Sequence, residues 1–204
     1  MKAMRRAARL SSEERKAMTV RTVIDLAGEC DPAEITTSAI AERMEMTQGA
    51  LFRHFPTKDE MWQAVVGWGA ERLLERLDKA AASAATPLAA LEAIFFSHLR
   101  FVRRHAGIPR IVLNSLQRAG DSPTKRAVRA LLFRYGERLR ALLEEAKARG
   151  EVAPDVDSAA AVALFMGTVQ TFSLQMLMNK SGVSIEDLAA RSFALFVRGI
   201  RSAK

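Results

Sequence analysis

The residues best suited to do chemistry lie in a short stretch, positions 47–55, where polar and apolar side chains separate at helical spacing. Leu51 and Phe55 are four residues apart, so on a helix they share one face, which we expect to be buried. We expect Gln48 and Arg53 to point outward. A glutamine amide can pair with adenine through two hydrogen bonds, and an arginine can reach phosphate oxygens. The outer face therefore predicts contact with double-stranded DNA.

A second short helix precedes this stretch, and a tight turn joins the two. Thr36 and Thr47 are favourable helix N-caps, and Ile40 and Met44 lie on one face of the first helix. Two short helices linked in this way form a helix-turn-helix, in which the first residues of the second helix meet base edges in the major groove. The pattern favours Gln48 as a base contact, and the positive N-terminal end of the helix favours a nearby phosphate.

The sequence predicts no catalytic residues, no metal site and no cofactor. The three histidines, His54, His98 and His105, lack the i, i+4 spacing of a zinc-binding pair. Cys30 is the sole cysteine, so a zinc site built from cysteines is excluded. The chain also has no glycine-rich phosphate loop and no nucleophile elbow.

The elements that must position the helix-turn-helix are all helical. A helical period of apolar residues dominates the chain, and we predict an all-α fold of about nine helices with an N-terminal three-helix bundle. Ser11 or Ser12 is expected to begin the first helix. We assign residues 1–57 to an N-terminal arm and DNA-binding domain, and residues 58–204 to a second helical domain. The later helices are expected at about 58–82, 87–104, 109–120, 123–149, 157–178 and 184–201.

The charge of the chain favours an anionic partner. Its 204 residues include 31 lysines and arginines against 23 aspartates and glutamates, and 49% are hydrophobic, which excludes a disordered chain. Residues 98–149 hold thirteen bases and four acids, a net charge of +9, and residues 1–21 hold seven and two, a net charge of +5. A basic N-terminal arm and an acidic ligand are both compatible with this distribution, and so is a solvated helix surface that binds no partner. No apolar run follows the first charges, so we expect no secretory signal and a cytoplasmic protein.

Residues 15–65 resemble the TetR family of bacterial transcriptional regulators. The resemblance is carried by Ile40-Ala41, by the run from Thr47 to Phe55 that ends in Arg-His-Phe, and by Lys58 three residues later. It implies that Gln48 and its two following residues lie nearest the bases. The residues that we predict to contact DNA, from the residue pattern and the resemblance taken together, are Thr36, Ser38, Thr47, Gln48, Gly49, Ala50, Phe52, Arg53, His54 and Lys58.

Three positions depart from the family pattern. Phe52 stands where a tyrosine is usual, and Ala50 stands where a threonine is frequent, so each lacks a hydroxyl that could donate to a phosphate. Each lost hydrogen bond is worth roughly 0.5–1.5 kcal/mol. Glu45 occupies a turn position where glycine is common, and a left-handed backbone there would cost about 1–2 kcal/mol.

The last two helices favour a homodimer. No charged side chain occurs from Ser158 to Asn179, a length that would just span a bilayer, but Gln170 and other polar residues interrupt the stretch and favour a soluble helix over a membrane span. Helices that are apolar on more than one face need more than one partner, so we predict an isologous four-helix interface and a pseudo-palindromic DNA site. The candidate interface residues are Phe165, Phe172, Phe193, Phe196 and Ile200.

The resemblance also implies that residues 58–204 form an effector-binding and dimerisation domain, with a pocket for a small-molecule effector of unknown identity. Phenylalanines and methionines with a few polar groups are typical of such pockets, although most of them would serve equally as core. The candidate lining residues are Phe95, Leu99, Leu116, Met166 and Gln170. The predicted function is a ligand-responsive regulator, a repressor by resemblance, that leaves its operator when the effector binds. The alternative is a small-molecule-binding protein with weak or sequence-independent DNA binding, motivated by Phe52 and Ala50.

Overall fold

A computed structural model describes residues 11–178 and 184–201. Within them the chain forms nine helices and, beyond these, a single antiparallel bridge between Val152 and Arg201. The helices are α1 (Ser12–Glu29), α2 (Thr37–Arg43), α3 (Gln48–Phe52), α4 (Lys58–Ala82), α5 (Pro87–Arg104), α6 (Gly107–Gln117), α7 (Pro123–Ala148), α8 (Ser158–Met178) and α9 (Ile185–Ile200). The all-α prediction is confirmed. Residues 1–10, which hold four of the seven basic residues of the predicted arm, lie outside the described residues.

The predicted N-caps begin the first three helices. The Ser11 hydroxyl accepts from the amide of Glu14 at 3.2 Å, and the Glu14 carboxylate accepts from the Ser11 amide at 2.7 Å, which completes a capping box. The Thr36 and Thr47 hydroxyls each accept from the amide three residues onward, at 3.1 and 3.2 Å. A cap of this kind is worth about 1 kcal/mol, which matters most for the very short α2 and α3.

Helix α6 differs from its prediction at both ends. It begins at Gly107 rather than Pro109, and it ends at Gln117 rather than near Gly120. Pro109 is the third residue of the helix, where its missing N–H needs no partner because the first-turn amides have no helical acceptor. The proline therefore lies inside the first turn and does not mark its start.

The described residues divide into two compact units. The first unit comprises residues within 1–70 and 105–129, and the second comprises residues within 71–104 and 130–204. Helices α4 and α7 each contribute residues to both units. These units describe packing and follow a different boundary from the predicted domains 1–57 and 58–204, so the functional division stays a prediction.

In the first unit, α1 packs against α2 and α6, and α2 packs against α3. The closest approach is at Gly107, the first residue of α6. A methyl group at this position would lie 2.0 Å from the carbonyl oxygen of Ile24 and 3.0 Å from the amide nitrogen of Gly28. Only a glycine allows the backbones of α1 and α6 to come this near.

In the second unit, α8 packs against α5 and α9. Phe95 lies at the centre of an aromatic cluster, with ring-centroid distances of 5.6 Å to Phe165, 6.3 Å to Phe172 and 5.2 Å to Phe193. Two of these contacts are edge-to-face and the third is tilted, and such pairs add to the energy of burial.

We expect Gly107→Ala to lower the free energy of unfolding by at least about 2 kcal/mol, because the new methyl group would meet fixed backbone rather than a movable side chain. Gly67→Ala is the matched control, since Gly67 lies in α4 of the same unit and nothing lies within 4 Å of an added methyl group. The control should be neutral or stabilising by up to about 1 kcal/mol. Urea denaturation followed by circular dichroism measures both, and equal midpoints would contradict the expectation.

Candidate nucleic-acid interface

The candidate interface is built on α3, a helix of only five residues. Leu51 in α3 and Phe55, three residues after the end of α3, are buried, as predicted, and the amide of Phe55 donates to the Leu51 carbonyl at 3.1 Å. A helix this short is unstable on its own, so the buried pair, the Thr47 cap and the packing of α2 against α3 hold it in place.

The outer side of α3 faces open space. Gln48, Gly49 and Arg53 are exposed, and the Phe52 side chain is 40% exposed. No atom lies within 4 Å of a methyl group built on Gly49, so a duplex could approach the helix closely at this point. Ala50 and His54 are half-buried.

The turn between α2 and α3 has the strained backbone expected from its sequence. Glu45 adopts φ 52°, the only described residue other than glycine with a positive φ. The amide of Met46 donates to the Ala41 carbonyl at 2.9 Å and closes the turn. The left-handed conformation of a non-glycine residue costs about 1–2 kcal/mol, which the packing of the two helices must offset.

Several predicted DNA contacts are already hydrogen-bonded within the unit. Gln48 Nε2 donates to Ser38 Oγ, which joins the first turn of α3 to the first turn of α2. Ser12 Oγ lies 3.2 Å from His54 Nδ1. The hydroxyl oxygens of Thr36 and Thr47 accept from backbone amides, so the proton of each exposed hydroxyl is left to donate outward.

Lys58, the first residue of α4, is held from two sides. Its Nζ lies 3.5 Å from the Ala33 carbonyl oxygen and 5.3 Å from the centroid of the Trp62 ring. Partial burial, and then the neighbouring Arg118, lowers the pKa of the Lys58 ammonium. These contacts place a cation at the N-terminus of α4, immediately after the helix-turn-helix, where the resemblance implies a phosphate contact.

The structure distributes the predicted pocket residues over both units. Phe95 and Leu99 are buried in the second unit, Met166 is half-buried there, and Gln170 is exposed. Leu116 belongs to the first unit and is exposed. The structure therefore brings only Phe95 and Leu99 together in a core, and the pocket assignment remains a prediction.

An open cleft of about 320 Å³ occurs in the first unit instead, between the end of α1 and one side of α6. Its lining is Asp31, Pro32, Arg110, Leu113, Asn114 and Gln117, and none of these is a predicted pocket residue.

Four of the five predicted dimer residues are used in the core of their own chain. Phe165, Phe172, Phe193 and Ile200 are buried, and Phe196 is half-buried with its ring 5.8 Å from that of Phe165. Because apolar residues lie on more than one side of α8, its sequence does not reveal which side packs against α5. The four buried side chains are not exposed for contact with a second copy, and the assignment of the interface remains a prediction.

The exposed side of α8 is a continuous apolar row that the sequence did not single out. Its members recur at alternating spacings of four and three residues, and we call them the α8 row: Ala160, Leu164, Gly167, Thr171, Leu174 and Met178. Leu164 is 60% exposed, and Leu195 on α9 is 61% exposed. Among the described residues, α8 is also the one helix that is long and apolar enough to span a membrane. A single helix of this kind is weak evidence for a membrane span.

A polar pair, the half-buried His98 and the buried Tyr135, accompanies the aromatic cluster of the second unit. His98 Nδ1 lies 3.3 Å from the Tyr135 hydroxyl, and the Tyr135 ring is 6.4 Å from that of Phe165. Burial lowers the pKa of His98 to about 4 and raises that of Tyr135 above its ordinary value. Both groups are therefore neutral at pH 7, as hydrogen-bonding groups among aromatic rings must be.

A family profile and a curated relative both match this chain. A family profile described as bacterial regulatory proteins, tetR family, matches residues 19–65. The nucleoid occlusion factor SlmA of Alteromonas mediterranea is 30% identical over 136 residues, which cover 66% of this chain and 69% of that protein.

Solved structures share the fold. The regulator FadR of Bacillus subtilis, solved with stearoyl-CoA, superposes with a TM-score of 0.78 at 17% identity, over 90% of this chain and 98% of that one. AibR, solved with isovaleryl coenzyme A and operator DNA, gives a TM-score of 0.71 at 19% identity, over 89% and 97%.

The low pKa of His98 makes the stability of the protein depend on pH. The unfolded chain takes up a proton near pH 6.5, whereas the folded chain does so only near pH 4, so this contribution is complete above pH 6.5 and is lost as the pH falls towards 4. The loss should amount to at most ~3 kcal/mol at 1.36 kcal/mol per pKa unit.

Urea denaturation of the wild type, His98→Gln and His54→Gln between pH 7.5 and 4.5 tests this expectation. The His98→Gln protein should lose much of the pH dependence, because it no longer carries the titrating group, while His54→Gln should keep it. Equal pH dependence in all three proteins would contradict the assignment.

Proposed function

The chain belongs to the TetR family of bacterial regulatory proteins, and we propose that it is a cytoplasmic, homodimeric repressor that a small molecule releases from a pseudo-palindromic operator. The proposal rests on the exposure of the first residues of α3, which lie above two buried apolar side chains. Gln48 and Gly49 lie open to solvent while Leu51 and Phe55 fix the helix beneath them. The relative SlmA is named for nucleoid occlusion, and we do not propose that role for this chain.

The polar groups around α3 suit DNA reading. Gln48 offers an amide to a base edge, and the cap hydroxyls of Thr36 and Thr47 keep a proton for phosphate oxygens. Arg53 is exposed at the end of the helix and Lys58 follows at the start of α4. The predicted contacts thus combine one group that reads sequence with several that hold the backbone.

The α8 row supports the homodimer. Residues that recur at spacings of four and three form a seam that a second helix can pack against, and Gly167 and Ala160 allow close approach. A second copy of the chain presents the same seam, so the contact would be isologous. This replaces the predicted phenylalanines as the contact surface and keeps the predicted symmetry.

The effector that we propose is acidic and partly apolar. Residues 98–149 carry a net charge of +9 from thirteen bases and four acids, and the second unit is rich in phenylalanine. An acyl-CoA combines both properties, and two proteins of the same fold, FadR and AibR, were solved with acyl-CoA ligands. Thermal melting with added acyl-CoAs of different chain length tests this class of ligand.

Selection from a pool of random duplexes tests the DNA function. The wild type should enrich two half-sites related by a twofold axis, with centres about one helical turn apart or slightly more. Gln48→Ala should lose about 1–3 kcal/mol of discrimination at one base pair in each half-site, whereas Gln63→Ala, which removes an exposed glutamine from α4, should lose none. Failure of the wild type to enrich any sequence would favour the alternative of weak or sequence-independent DNA binding.

Charge placed in the α8 row should separate the dimer. The double change Leu164→Glu and Leu174→Glu would bury four carboxylates in a twofold interface, so we expect a monomer in sedimentation at micromolar concentration. Leu116→Glu is the control, because Leu116 is exposed in the first unit. An intact dimer of the double variant, with unchanged helical content, would rule out the α8 row as the interface.

A further inference from the structure

We infer that Ser38 is a positioning residue that orients the Gln48 amide and so sets the base preference of the operator. The inference rests on the proposed DNA function and adds a residue that acts through another rather than on the DNA itself. Its basis is the hydrogen bond from Gln48 Nε2 to Ser38 Oγ across the helix-turn-helix.

The turn brings the two residues together. Ser38 is the second residue of α2 and Gln48 is the first residue of α3, and the positive φ of Glu45 lets the chain reverse between them. Both side chains are exposed, so the hydrogen bond lies at the surface, at the N-terminal end of α3 that meets base edges in a helix-turn-helix. The serine is therefore placed beside the reading group without covering it.

The chemistry of the amide makes this contact selective. An amide NH2 carries two hydrogens, and adenine recognition uses only the oxygen and the hydrogen on the same side as that oxygen. The other hydrogen points away from this edge. When Ser38 accepts that hydrogen, Gln48 keeps a complete acceptor-and-donor edge, which matches the N6 amino group and N7 of adenine.

The hydrogen bond fixes the position of the amide rather than which of its ends faces Ser38. A serine hydroxyl can accept from Nε2 or donate to Oε1, and in either case Gln48 keeps one acceptor and one donor on its outward edge. That edge matches adenine, whereas guanine offers two acceptors, O6 and N7. A free glutamine samples many orientations, whereas the observed hydrogen bond holds the side chain at the N-terminal end of α3. Ser38 thus favours adenine over guanine at the position that Gln48 reads.

The test measures discrimination rather than affinity alone. Full-length wild type, Ser38→Ala, Ser38→Thr and Thr37→Ala are titrated with the selected operator and with duplexes that carry guanine or 7-deazaadenine at the Gln48 position. We expect Ser38→Ala to reduce the preference for adenine over guanine by about two- to tenfold, the equivalent of one hydrogen bond. Ser38→Thr should restore the preference because it keeps the hydroxyl, and Thr37→Ala should leave it unchanged.

Each outcome separates the inference from the function on which it rests. An unchanged preference in Ser38→Ala, with uniformly weaker binding to all duplexes, would show that the serine holds a phosphate and would overturn the inference. Selection of guanine by the wild type at this position would overturn it as well. A wild type that selects no sequence at all would instead overturn the proposed function. Circular dichroism confirms that each variant is folded.

Discussion

The burial of Leu51 and Phe55 is the constraint on which the candidate interface depends. A five-residue helix gains too little from its own hydrogen bonds to persist in water, so its orientation is set by two apolar side chains and one cap. The same residues decide which side of the helix is left for recognition. The exposed side chains that would contact DNA depend on this buried pair for their position. Any loss of packing beneath α3 would therefore misalign those side chains with the DNA.

The anchor in turn needs a fixed support, which the first unit supplies through close helix contacts. At Gly107 the start of α6 approaches the backbone of α1 so closely that no side chain could intervene. Helix α1 in turn packs against α2, and α2 packs against α3. The strained turn at Glu45 belongs to the same arrangement, because the reversal of the chain requires a conformation that glycine would adopt without cost.

Local chemistry explains why much of this unit was predictable from sequence. The caps at Thr36 and Thr47, the inward pair Leu51 and Phe55 and the left-handed residue in the turn all depend on neighbours a few positions away, and all are present. The second unit was less predictable, since α8 has apolar residues on more than one side and only tertiary packing decides that Phe165 faces inward and Leu164 outward. The start of α6 was misplaced because a proline is tolerated anywhere in the first turn.

The open space around Gly49 has a consequence for how the recognition surface of such proteins can evolve. A methyl group at this position would have no atom within 4 Å beyond its chain neighbours and the backbone of its own helix, and the residues that keep the helix folded lie elsewhere. Mutations could therefore alter what the surface recognises while leaving the fold intact. In this arrangement, divergence in target choice and maintenance of the scaffold are free to proceed independently.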